Sequence, residues 1–188
     1  MTQKHLIFAT LLVILFPGCA DNNQSSGTES SYGERVTING NATFNNRSMK
    51  SVLVNGKATL KNVTISDTLS VNGALQASYS TIGTLHTNGN AYLSKTIVQG
   101  LSSISGFLQA DQSTFDEISI STRNMILVNC TTKTITVKKQ MPSLEQIVDL
   151  SNTTVNGDIL FEGNQGKVIL RGISKVTGNI TGATIEKI

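Results

Sequence analysis

Few residues in this chain have the types and spacing that chemistry needs. His86 sits in the middle of the triplet Leu85-His86-Thr87, where strand alternation turns it to solvent, and no Ser or Cys with an orienting carboxylate shares its register. An exposed surface residue is the better reading than a general base. Cys130 has neither a second Cys nor a His cluster near it in sequence, which suits a small buried apolar side chain rather than a metal ligand or nucleophile. Two groups of carboxylates remain, Asp111 with Asp116 and Glu117, and Asp158 with Glu162. Glycoside hydrolysis would need two such groups facing each other across a cleft about 5 to 9 Å wide. Coils without long inserted loops offer no cleft, so these residues are expected on a solvated face. Tyr79 and Tyr92, the candidates for a carbohydrate platform, stand at different positions in their repeats and should not line up as a strip. No phosphate loop, metal motif or dinucleotide fingerprint is present, and the expectation is a protein without catalytic residues, metal or cofactor.

The elements that carry these residues follow from composition and repetition. Charged residues are 14% of the 188, aromatics 5%, and there is no Trp. Ser, Thr, Asn and Gly fill the gap, and with Val and Ile they favour strands and turns over helices. The formal charge of +3 is spread along the chain, which is no footprint for nucleic acid.

An apolar-polar-apolar triplet recurs at intervals of about 16 to 17 residues. It reads Val36-Thr37-Ile38, Val52-Leu53-Val54, Leu69-Ser70-Val71, Leu85-His86-Thr87, Leu101-Ser102-Ser103, Ile118-Ser119-Ile120 and Ile135-Thr136-Val137. A second column is expected through Phe44, Leu60, Ala77, Leu93, Gln109, Ile126 and Ser143. A third runs through Met49, Ile65, Ile82, Val98, Thr114, Thr131 and Val148. A short strand with one apolar face cannot bury it alone, whereas stacked turns bury each face against the next. The fold expected is therefore all-β, a single-stranded parallel β-helix or β-solenoid with coils of about 16 to 18 residues.

Corners reinforce this reading. Asn39-Gly40, Asn55-Gly56, Asn72-Gly73 and Asn88-Gly89 share one register, and Asn and Gly tolerate the positive φ of a sharp bend. Stacked Asn side chains can also bond along the axis. A hairpin meander, the competing architecture, would place Asn-Gly after every strand rather than after one in three. The pattern loosens after Ile135, where Pro142 marks a corner or an edge. Thr153-Thr154-Val155-Asn156-Gly157 is expected to restart it, followed by Val168-Ile169-Leu170 and Val176-Thr177-Gly178. About nine turns result.

The amino-terminal stretch has another character. Met1 to His5 carry one Lys, Leu6 to Phe16 form an apolar run, and Pro17, Gly18 and Cys19 follow. The run falls short of the roughly 20 residues needed to span a bilayer but suits the core of a signal peptide. Leu15-Phe16-Pro17-Gly18-Cys19 resembles the lipobox of bacterial lipoproteins, with Phe16 and Pro17 departing from the usual Leu and small residue. The resemblance implies residues 1–18 as a signal peptide, lipid on Cys19, and 19–35 as a flexible polar tether before a domain at 36–188. Ala20, after the Cys, implies the outer membrane by the sorting rule of that family. Ordinary cleavage after Ala20 is the alternative and would yield a soluble periplasmic or secreted protein.

The repeats, with phrases such as VNGKATLKNVTI from Val54 and TVNGDILFEG from Thr154, resemble the bactofilins, bacterial β-helix proteins that polymerise end to end without nucleotide. The β-helical regions of secreted adhesins are similar in the same loose way. These resemblances imply a structural, self-assembling scaffold, or alternatively a surface module that recognises a glycan or an envelope protein through a flat face. Partners expected are membrane lipid through Cys19 and other copies through the solenoid ends, where Val36-Thr37-Ile38 and Ala183 to Ile188 read as uncapped strands.

Overall fold

The computed structural model describes residues 35–140 and 144–188, which form a single parallel β-solenoid. Cys19, the 1–18 segment, the tether up to Glu34, Pro142 and Ser143 lie outside the described residues. Every pairing among the twenty strands is parallel and joins one coil to the next. Among the described residues there is no helix.

Each coil has three faces. The first begins at Val36 and continues in register through Val52, Leu69, Leu85, Ser102, Ile118, Ile135, Ile159 and Ile180. The second carries Phe44, Leu60, Ala77, Leu93, Ala110, Leu127, Leu150 and Leu170. The third carries Met49, Ile65, Ile82, Val98, Phe115, Thr132, Val155 and Val176. Period-two alternation turns these inward, and most are fully buried.

On the second face, from Ala58 to Ala110, each coil supplies one large and one small inward residue, in an order that reverses three times. The pairs are Ala58 with Leu60, Leu75 with Ala77, Ala91 with Leu93, and Leu108 with Ala110. A large side chain thus lies over a small one and the layers interdigitate without overfilling the interior.

The register differs from the sequence expectation at four places. The fifth triplet is Ser102-Ser103-Ile104, not Leu101-Ser102-Ser103: Leu85 pairs with Ser102, and Leu101 is 38% exposed. The second column passes through Ala110 and Leu127 in place of Gln109 and Ile126, which point outward. The third passes through Phe115 and Thr132 in place of Thr114 and Thr131, while Val148 belongs to the second face. Thr154 and Val155 pair with Thr131 and Thr132 on the third face, so 153–157 does not restart the first-face triplet; Ile159-Leu160-Phe161 does. The reason is common to all four. A residue added at a corner shifts the strands after it until another corner compensates, as at Ile118, and alternation along a strand cannot reveal where the addition falls.

The coil after Ile135 is longer than its predecessors, with Lys138 and Glu162 on adjacent coils 24 residues apart. Gln146 anchors its return. The side chain is buried at 3% exposure and its Nε2 donates to the carbonyls of Thr122 at 2.8 Å and Lys138 at 3.0 Å. That amide satisfies backbone acceptors which the widened corner would otherwise leave bare.

Candidate functional site

Three corners separate the faces, and at two of them side chains bond from coil to coil. Between the first and second faces, Asn55 Nδ2 donates to Asn39 Oδ1 at 2.7 Å and Asn72 Nδ2 to Asn55 Oδ1 at 2.8 Å. Gly40, Gly56, Gly73 and Gly89 follow directly, all with positive φ. A Cβ on Gly56, Gly73 or Gly89 would overlap the carbonyl of the glycine one coil below. Gly106 continues this stack over Gly89. It escapes an Asn-Gly search because Ser105 precedes it.

The corner from second to third face uses left-handed residues that are not glycine. Asn46, Asn62, Tyr79, Lys95, Gln112, Asn129 and Asn152 all have φ between 49° and 54°. Asn62 Nδ2 bonds Asn46 Oδ1 at 2.8 Å, and Lys95 lies over the Tyr79 ring at 4.9 Å while its Nζ donates to the phenol. Tyr79 therefore serves a corner, in a different column from Tyr92.

From Tyr79 onward, the next residue in these coils forms a buried column that composition alone does not reveal: Ser80, Thr96, Ser113, Cys130 and Thr153. Ser80 Oγ donates to the Ser78 carbonyl and accepts the Val63 N–H; Ser113 Oγ donates to the Asp111 carbonyl and accepts the Thr96 N–H. Thr153 does the same for Ser151 and Cys130. The signal in sequence is a Ser or Thr directly after a turn residue, once per coil. Cys130 occupies a hydroxyl position, its Sγ donating to the Val128 carbonyl at 3.1 Å. Burial pushes its thiol up to about 11, so at neutral pH it is protonated and a poor nucleophile.

The carboxylates singled out above are engaged across coils rather than across a cleft. Asp116 pairs with Lys133, Asp111 accepts from Asn129 Nδ2 at 3.2 Å, and Asp158 accepts the Asn179 N–H at 2.7 Å. Glu162 takes Lys138 at 2.7 Å, and that hydrogen bond holds its carboxyl below the ordinary range. Glu117 lies in register between Leu101 and Thr134. His86 is exposed, between Ser70 and Ser103 in the outward column of the first face. Among the described residues no three His, Cys, Asp or Glu gather where a metal could be held.

One surface feature stands apart. A groove of about 470 Å³ runs along the outside of the second face. Its floor is the column Thr59, Gln76, Tyr92 and Gln109, and its flank is Lys61, Ser78, Ser94 and Asp111. Tyr92 is 41% exposed and its ring packs against Phe107, with centroids 6.0 Å apart and planes tilted by 59°.

No protein-family model matches the chain, and neither the curated proteins nor the solved structures contain a match to it.

Proposed function

We propose that this chain is a non-enzymatic envelope lipoprotein in which lipid on Cys19 and the polar tether hold a rigid β-solenoid, a structural scaffold that associates with copies of itself or with envelope components. The observation that supports it is the unbroken parallel ladder from Arg35 to Lys187, in which every coil is bonded to its neighbours on three faces. Such an object resists bending and keeps its surface geometry fixed. The Asn, Ser and Thr side chains bonded at the corners hold coils together, which favours shape and surface as the means of action.

Association through the ends belongs to the same proposal. Among the described residues, Arg35–Asn39 pairs only with Ser51–Asn55, and Ala183–Lys187 only with Gly166–Arg171. Strands paired on one side carry N–H and C=O groups that a further coil can take up. Ile185 and Ile188, at 52% and 64% exposure, add apolar surface there. Sedimentation over a wide concentration range tests the reading. Mass that rises with concentration and falls back on deletion of 183–188 supports it, and a monomer throughout overturns the assembly. For the anchor, Cys19→Ser should abolish labelling by a fatty-acid analogue and release the protein from membranes; a soluble wild type beginning at Asp21 would overturn lipidation.

A further inference from the structure

The groove on the second face has features that the scaffold role does not use. The amides of Gln76 and Gln109 and the phenol of Tyr92 have no hydrogen-bond partner among the described residues, although the three side chains stand in direct register on consecutive coils. The corner amides of Asn39, Asn55 and Asn72, and of Asn46 and Asn62, bond one another from coil to coil. Three groups that each donate and accept, one of them on an aromatic ring, are left facing the same open channel.

We propose that this groove binds a neutral, linear polysaccharide, with one sugar ring stacked on Tyr92 and its neighbours bonded by Gln76 and Gln109. Sugar rings present both a C–H face and hydroxyls that donate and accept, and the groove offers the counterpart of each: an exposed ring packed against Phe107, flanked by primary amides. The coil rise of about 4.8 Å repeats these contacts at the scale of a single pyranose ring. An extended peptide is the poorer occupant. The backbone groups of this face are consumed between coils, so no sheet edge is left to which a strand could add. Charge argues for neutrality: Lys61 flanks one end and Asp111 the other, so the channel carries no excess of either sign to hold a polyanion.

The test is calorimetric titration of the full chain with cellohexaose and chitohexaose, and with a galacturonate hexamer as the charged control. Binding of at least one neutral hexamer is expected, weakened about tenfold or more by Tyr92→Ala and several-fold by Gln109→Ala, and unchanged by Tyr79→Ala, which removes a ring outside the groove. Two neutral hexamers distinguish a plain from an N-acetylated sugar. The proposal is overturned if neither binds, if the galacturonate binds as tightly, or if Tyr92→Ala binds like wild type. Should Tyr92→Ala lower the melting temperature, the double variant Gln76→Ala/Gln109→Ala carries the same test without touching the ring. The outcome is independent of self-association: a monomer that binds the hexamer keeps this site and loses the end-to-end assembly.

Discussion

The coils before Asp116 and those after it are joined by different chemistry. In the earlier coils the side-chain bonds between turns come mainly from Asn and Ser, and glycines stack where faces meet. The four ion pairs among the described residues all lie later: Lys133 with Asp116, Lys138 with Glu162, Lys167 with Glu186 and Arg171 with Asp149. Coil length accounts for two of these pairs. A short side chain bonds its own equivalent only if the two atoms lie one coil apart along the axis, which the constant spacing of 16 or 17 residues guarantees. Where the spacing grows to 22 or 24, long side chains make the bond between coils, Arg171 to Asp149 and Lys138 to Glu162, whereas Lys133 with Asp116 keeps the spacing of the regular coils. Regular repeats permit identical contacts, and irregular ones call for adaptable contacts.

The strongest way to break the regular part is to charge its interior. Val71→Asp places an unpaired carboxylate at a site 1% exposed and should cost about 4 kcal/mol or more in urea unfolding. Leu53→Asp, at a half-buried outward position of the same face, should cost well under half as much. Equal costs would show that the register of this face is misassigned.

Glycine substitution sharpens the contrast. Gly73→Ala must push apart two backbones at φ 150° and should cost about 2 to 3 kcal/mol. Gly163→Ala, in the long coils, meets nothing closer than 3.6 Å and should stay within about 0.5 kcal/mol. Thermal melts of the two variants side by side decide this. A smaller loss, about 1 kcal/mol, is expected for Asn55→Ala, which interrupts the exposed Asn ladder at its middle member.

Acid should act on the later coils first. Their pairs hold Glu162 and Glu186 below the ordinary glutamate value of 4.5, through hydrogen bonds from Lys138 and Lys167 respectively. A carboxyl depressed in the folded state contributes stability above its unfolded pKa and loses it as pH falls through the folded one. Amide exchange in 159–188 should therefore accelerate below pH 4.5 while 52–104 stays protected. The effect is small because the pairs are exposed. Uniform loss of protection along the solenoid would remove the distinction between the two regions.

Much of this architecture was legible in the residues themselves. The Val/Ile/Leu triplets and the Asn-Gly corners disclosed parallel coils because each is a local signal that repeats, and repetition identifies stacking without knowledge of contacts. The register was legible as far as Val98, and again on the first face in the triplets at Ile118 and Ile135. Between them, Gly100 and Leu101 add to a corner, and Ser102 with Ser103 offers no apolar mark by which to see the shift. Thr87 and Ser102 face the interior with hydroxyls that find no partner, and a polar residue at an inward position misleads any reading by hydropathy. The groove was less legible still. Tyr92 could be excluded from a strip with Tyr79, but that Gln76 and Gln109 lie above and below it depends on two corner lengths at once.

What the sequence determined by itself is the repeat and its consequence, since alternation of apolar and polar residues with a turn at each corner leaves stacking as the way to bury every face. What only the tertiary structure decided is which side chains from different coils meet. That choice is made by the number of residues in each corner, because one residue more or less turns an inward side chain outward and moves later contacts by one place until another corner compensates.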